Sequence, residues 1–175
     1  FLLCCVAFLG CHQERNESIR LMNKGLQSAK QDKYTKALEF LEKAAVADPT
    51  NHRAFYYAGQ IFAQRLGNPT NAEKKLRKAI SINGKNYEYH YHLGVALSDM
   101  KRWRDAVTAL EQSIELKPDH GISHLRLGIA LESIAQYDRA QKAYRDAVTH
   151  GGRMGEGYNL LGNLYRRFEK YSQAA

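Results

Sequence analysis

Cysteine is nearly absent from this 175-residue chain, and its three copies, Cys4, Cys5 and Cys11, all fall in the first eleven residues. Everything after Cys11 therefore folds without disulfides. Proline is as scarce: Pro69 sits in a polar turn, and Pro49 and Pro118 stand where a helix has to stop. Acidic residues are in deficit, 18 against 26 lysines and arginines, for a net charge of +8. The 44% apolar content suits a soluble helical array and excludes a disordered chain. The one apolar stretch of note, Phe1 to Cys11, is too short to cross a membrane as a helix.

What the chain does have is a ruler. Gly25, Gly59, Gly94, Gly128 and Gly162 recur at intervals of 34, 35, 34 and 34 residues. A second series, Ala37, Ala72, Ala106, Ala140 and Ala174, keeps the same period twelve or thirteen residues later. Four residues past the alanines come Leu41, Leu76, Leu110 and Tyr144, and three further on come Ala44, Ala79, Ser113 and Ala147. Helix breakers close each cycle at Pro49, Gly84, Pro118 and Gly152. On both sides of a polar turn the apolar positions recur at three- and four-residue spacing, so each cycle predicts two helices. Small residues at the glycine and alanine marks let the paired helices approach closely. An aromatic anchors the turn at Tyr34, Trp103, Tyr137 and Tyr171, in position to plug the gap where one hairpin meets the next. The second cycle lacks it; its turn, Leu66 to Asn71, holds the extra residue, which lengthens a loop and leaves both helices in phase.

This pattern resembles the tetratricopeptide-repeat family, in which a large residue, Leu-Gly, an aromatic, an Ala, a further large apolar residue and a Pro recur. The resemblance covers Ser18 to Ala175. The family's early Trp is replaced by Leu21, Phe55, His90, His124 and Tyr158, and its first aromatic survives as Phe62 and Tyr165. The implied fold is all-α: a right-handed superhelical α-solenoid of about five repeats, 18–51, 52–86, 87–120, 121–154 and a truncated 155–175. The second helix of the last repeat stops as it begins, and a capping helix is missing, so the natural protein is expected to continue.

Residues 1–10 match the apolar core of a secretion signal that has lost its Met and charged head. Leu9, Gly10 and Cys11 are similar to the cleavage box of bacterial lipoproteins, although Phe8 and Leu9 stand where that box prefers Leu and a small residue. On that reading Cys11 is lipidated, residues 11–17 are a tether, and the protein is a membrane-anchored lipoprotein of the cell envelope facing the periplasm. An uncleaved anchor or an ordinary signal peptide are the alternatives, with a secreted or cytoplasmic protein left if the tether fails.

Chemistry finds little support. His90 and His124 occupy the repeat position of Leu21, Phe55 and Tyr158 and are read as half-buried packing residues; His120 lies in the loop after Pro118 and need not face His124. Further ligands for zinc are lacking, so the expectation is no metal and no cofactor. Tyr87, Tyr89 and Tyr91 alternate around one helix and cannot form a single stripe. The stretch Gly151 to Gly157 follows a helix and lacks the Lys-Ser/Thr ending of a phosphate loop. With no nucleophile, base and orienter in register, these residues are not expected to be an enzyme, and none is assigned a catalytic role.

The family implies a concave wall of first helices that binds peptides or partner helices. Carrying over the positions at four-residue intervals, with one three-residue step from Ile129 to Glu132, gives Tyr56, Gln60 and Gln64, then Tyr91, Val95 and Asp99, then Leu125, Ile129, Glu132, Asn159 and Asn163. Amides there suit a partner backbone, and tyrosines offer contact area at low entropy cost. The Lys and Asn of chaperone-tail clamps are replaced by Met22 and Leu26, Tyr56 and Gln60, or Tyr91 and Val95, which removes the support for a co-chaperone. The first expectation is a non-catalytic protein-binding scaffold in envelope complex assembly. The alternative is the repeat arm of a longer enzyme, such as a glycosyltransferase, with its catalytic domain beyond residue 175. A weaker option is nucleic-acid binding through residues 64 to 104, where nine basic residues face three acidic ones, although Lys74, Lys75, Arg77 and Lys78 read as a solvated face opposite Leu76 and Ala79.

Overall fold

The structure, a computed structural model, describes residues 2–151, 155–163 and 166, with side chains from residue 13 onward. Among these residues the regular structure is helical throughout. Eight helices follow one another: α1 (Leu2–Lys30), α2 (Tyr34–Ala47), α3 (His52–Gln64), α4 (Pro69–Ile82), α5 (Tyr87–Asp99), α6 (Trp103–Leu116), α7 (Gly121–Ser133) and α8 (Tyr137–Thr149). Residues 155–163 are helical as well. The chain forms two compact units, Phe1–Gly84 and Lys85–Ala175. In the first, α1 pairs with α2 and α3 with α4, and α2 packs on α3; in the second, α5 pairs with α6 and α7 with α8, and α6 packs on α7. The expected all-α repeat of helical hairpins is therefore present. Residues 11–17, read as a tether, are helical and continuous with α1.

Each hairpin closes on one contact, which joins the first and third sequence series. A methyl group placed on Gly25 would lie 3.0 Å from Leu41 Cγ, on Gly59 2.8 Å from Leu76 Cγ, and on Gly94 2.5 Å from Leu110 Cγ. On Gly128 it would meet the Tyr144 ring at 2.4 Å. The glycines are thus the sockets into which the large residue of the second helix inserts. Leu41, Leu76, Leu110 and Tyr144 are all at most 1% exposed. For each leucine that burial is worth roughly 1.5–3 kcal/mol. The alanine marks Ala37, Ala72, Ala106 and Ala140 are fully buried beside them, as are Ala44, Ala79, Ser113 and Ala147. Carbonyls of this last series receive the closing N–H groups of the second helices, from Asp48 to Ala44 (3.0 Å), Asn83 to Ala79 (2.9 Å) and Lys117 to Ser113 (3.0 Å).

The turn inside every hairpin uses a backbone device that the sequence does not advertise. One residue per turn is left-handed: Asp32 (φ 57°), Gly67 (φ 57°), Lys101 (φ 59°) and Ala135 (φ 60°). It allows the next N–H to reach back to the end of the first helix, Lys33 to Ser28 (3.0 Å), Arg102 to Leu97 (2.9 Å) and Gln136 to Leu131 (2.9 Å), which satisfies carbonyls the helix leaves open. In the second hairpin the corresponding bond runs from Asn68 to Phe62 (2.8 Å), spanning one residue more. The extra residue sits in that turn, and α3, α5 and α7 keep the same 13-residue length. Tyr34, Trp103 and Tyr137 are the first residues of α2, α6 and α8. Tyr34 meets the neighbouring hairpin as expected, with the Arg65 guanidinium over its ring at 5.8 Å. Tyr171, Ala174, Gly152 and Tyr165 lie outside the described residues.

Two substitutions separate socket from turn. Gly128→Ala should cost about 1–3 kcal/mol because the Tyr144 ring has to move, although alanine is otherwise the better helix former. Lys101→Gly should gain about 0.5–1 kcal/mol by relieving a left-handed φ. Urea unfolding midpoints moving in opposite directions would support both assignments, and a stabilised Gly128→Ala variant would refute the socket.

Candidate functional site

The first helices present the expected face only in part. In the first unit Gln60 is half-buried and Gln64 exposed, but Tyr56 is only 7% exposed, with its hydroxyl accepting from Gln60 Nε2 at 2.8 Å. Its ring lies 5.3 Å from that of Tyr57. In the second unit Tyr91 and Val95 are half-buried and Asp99 exposed. Leu125 is 1% exposed and belongs to the core, while Ile129 and Glu132 are half-buried. Tyr56 and Leu125 are therefore corrected from accessible wall positions to packing positions, because the rotation of α3 and α7 against their neighbours turns these positions inward, whereas Tyr91 at the same repeat position stays half-buried. Glu132 accepts a hydrogen bond from the Tyr144 hydroxyl at 2.8 Å, which ties it to the socket residue. Asn159 and Asn163 are exposed, and Asn163 accepts from Arg166 at 2.5 Å. The Cys11 side chain lies outside the described residues.

The most concentrated group of polar and aromatic side chains lies where α5 meets the start of α7. Tyr87 and Tyr91, one turn apart on α5, both take the His120 ring edge-on, with centroids 4.8 and 5.3 Å away. The Lys117 ammonium lies 4.8 Å over the Tyr87 ring, a cation held by the face of the aromatic. His120 precedes α7 as its N-cap residue, and its Nδ1 lies 2.7 Å from Ser123 Oγ, which in turn is 2.9 Å from the fully buried Ser113 Oγ. His92 joins from the side, its ring 4.9 Å from Tyr91. Tyr89, one residue between the pair, is 1% exposed on another face. The three tyrosines form no common stripe, but Tyr87 and Tyr91 do share one, and the sequence reading passed over that pair. An i, i+4 spacing of aromatics was the available signal.

His120 and His124 are packing residues held by hydrogen bonds. His124 is 8% exposed, with Nε2 2.8 Å from the Pro118 carbonyl and its ring stacked on His150 at 5.3 Å. Burial pushes His92 down to about 4, with the neighbouring His120 adding to the effect. Burial also lowers His120, helped by Lys117. Both imidazoles are neutral at pH 7, because a desolvated ring disfavours its charged form. Among the described residues no group of three His, Cys, Asp or Glu side chains is placed to hold a metal ion, and no helix is long and apolar enough to cross a membrane.

A family model described as anaphase-promoting complex, cyclosome, subunit 3 matches residues 30–113. Among curated proteins the chain is similar to a BBSome complex member BBS4 homolog of Drosophila melanogaster, 27% identical over 137 residues, 71% of this chain and 28% of that protein. It is also similar to the protein O-mannosyl-transferase Tmtc3 of Drosophila melanogaster, 26% identical over 136 residues, 77% of this chain and 15% of that protein. The chain thus spans under a third of the length of these relatives. Among solved structures, YrrB, described as a TPR protein with an unusual peptide-binding site, superposes with a TM-score of 0.78 at 20% identity, covering 90% of this chain and 81% of that one.

The buried imidazoles give the second unit a pH dependence. An unfolded histidine binds a proton near pH 6.5 and the folded His92 only near 4, so stability is full above about 6.5 and falls as the pH drops towards 4. The loss should reach about 1–3 kcal/mol. Urea midpoints measured from pH 8 to pH 4 should follow that course, and His92→Gln should remove most of the slope. An unchanged slope in the variant would assign the acid sensitivity elsewhere.

Proposed function

We propose that this chain, with its tetratricopeptide-repeat fold, is a non-catalytic scaffold that holds a peptide or partner protein on its first helices. The observation that carries the reading is the repeat fold itself, shared over 90% of this chain with a protein described as peptide-binding. The accessible positions on those helices are Gln60 and Gln64 in the first unit, and Tyr91, Val95, Asp99 and Ile129 in the second. Half-buried Val95, one turn from Tyr91 on α5, and half-buried Ile129 supply apolar contact, while Asp99 can accept from a partner backbone and the amides can both donate and accept. Asn159 and Asn163 extend the same chemistry. The partner is a protein or peptide. Nucleic acid fits less well, because Lys75, Arg77 and Arg102 in the basic stretch are already paired with Glu42, Glu73 and Asp105.

Location is the second part of the proposal. Lipidation at Cys11 would hold the scaffold at a bacterial envelope membrane, facing the periplasm, in the assembly of a complex there. A different reading, the repeat arm of a longer enzyme such as a glycosyltransferase, draws on the similarity to an O-mannosyl-transferase. A reading frame with several hundred additional non-repeat residues would favour the arm, and one ending within one or two hairpins the scaffold.

Two measurements test the scaffold. A photo-crosslinking residue at Asp99 should capture a partner that the same residue at Lys43 does not, and Val95→Asp in the same helix should reduce that capture at least tenfold with helicity unchanged. Equal capture from Asp99 and Lys43 would remove the first helix of that hairpin as the binding face. For the tether, the intact mass of the full-length product should carry a diacyl adduct on a chain starting at Cys11, and Cys11→Ala should release it from membranes. An unmodified soluble product would end the lipoprotein reading.

A further inference from the structure

The first unit carries a cleft of about 650 Å³ between α2 and α4, with α3 behind it. Its apolar lining is Phe55 and Phe62, both half-buried, seven residues apart and hence on one side of α3. Its charged lining is Lys74, Lys75, Arg77 and Lys78 from α4 against one carboxylate, Glu42 of α2. Two of those four cations are engaged: Lys75 Nζ lies 3.0 Å from Glu42, and Arg77 Nε lies 2.8 Å from Glu73. Lys74 and Lys78, one helical turn apart and exposed, have no carboxylate within ion-pair distance among the described residues. Lys74, Arg77 and Lys78 are exposed as the solvated-face reading expects, and Lys75 alone departs from it, leaning into the cleft with its side chain 24% exposed.

The second unit provides an internal comparison. Two repeats on, the same register of α6, α7 and α8 lines a cleft of about 450 Å³, with Glu111, His124 and Leu131 where the first unit has Glu42, Phe55 and Phe62. There Glu115 and Asp146 join Glu111, against Arg139 and Lys142, and Arg139 is paired with Glu111. One repeat position therefore gives a charge-mixed cleft in one unit and a cationic, phenylalanine-lined cleft in the other. Lys74 and Arg77 recur as Lys142 and Arg145 of α8, whereas Lys75 and Lys78 stand where α8 has Ala143 and Asp146, so the excess positive charge comes from that second pair.

We propose that the cleft between α2 and α4 is a second docking site, for an acidic peptide segment that carries an aromatic or aliphatic side chain between carboxylates. The anchor side chain packs on Phe55 and Phe62, and the flanking carboxylates pair with Lys74 and Lys78, whose unmatched charge complements them. A nucleic-acid strand is the poorer fit, since it presents a row of phosphates longer than the single turn over which the free lysines are spread, and it gains little from rings that are half-buried. The site is separate from the face proposed for the first helices, because Gln60 and Gln64 lie roughly 140° and 180° around α3 from Phe55.

The test uses the intact chain and one probe, an end-blocked fluorescein-labelled peptide, Asp-Glu-Phe-Glu-Glu-Leu-Asp, followed by fluorescence anisotropy. The wild-type chain should bind it, K74S/K78S should bind at least tenfold more weakly with unchanged helicity, and Val95→Asp should bind as wild type. Replacing the peptide's Phe and Leu by Ser should weaken binding at least fivefold. Equal binding by K74S/K78S, or loss with Val95→Asp instead, would overturn the cleft assignment. So would equal binding of the Ser peptide, which would mean charge alone, or tighter binding of a competing thymidine oligonucleotide, which would make a nucleic acid the occupant.

Discussion

Everything else in this protein depends on a large side chain entering a glycine socket. Leu41, Leu76, Leu110 and Tyr144 press against Gly25, Gly59, Gly94 and Gly128 so closely that one added methyl group would collide in three of the four hairpins. Close packing of this kind sets how near two helices can lie, and that separation sets where the alanines must be small. The fully buried Ala37, Ala72, Ala106 and Ala140 are the consequence. Where the inserted residue becomes the tyrosine of the fourth hairpin, its hydroxyl needs a partner, and Glu132 supplies one at 2.8 Å. A residue that sequence alone would assign to binding is thereby drawn into structure.

Polar groups inside the units follow the same economy. Ser18, buried under α2, donates to the Ala44 carbonyl at 2.7 Å and accepts from Asn51 at 2.9 Å, so the turn before α3 is tied to α1. Ser113, which takes the place of an alanine in its series, meets Ser123 and through it His120. One substitution from Ala to Ser thus coincides with a buried hydrogen-bonded chain that leads out to Tyr87 and Tyr91. Buried hydroxyls of this kind are tolerated because each finds a partner. The repeat is uniform in backbone, and its individuality lies in such side-chain exchanges.

The same division governs function. The repeated sockets and turns set the helices at a fixed spacing, and the residues left over between them decide what each surface offers. Glu42 and Glu111 hold equivalent places, yet the clefts beside them differ in charge because Lys75 and Lys78 of α4 stand where α8 has Ala143 and Asp146. Recognition in such a protein is written in the positions that the fold leaves unused.

Most of the fold was legible in the sequence, because socket, alanine, insert and closing residue each recur with a period of 34 or 35 residues, and periodic burial needs periodic residues. The extra residue between Gly59 and Ala72 was legible too, since only a loop absorbs an odd residue without turning a helix. The left-handed turns were not, because Asp32, Lys101 and Ala135 carry no glycine to mark them; the hydrogen bonds closing the hairpin impose that backbone. Nor was the state of the expected wall. Tyr56 and Leu125 hold the same repeat position as Tyr91, but the rotation of each helix against its neighbours buried the first two and left Tyr91 half-buried. Helical period is a local property of the chain, so sequence alone determined it. The angle at which each helix faces its neighbours, and therefore which charges converge on a cleft, is settled only by packing, and that belonged to the tertiary structure.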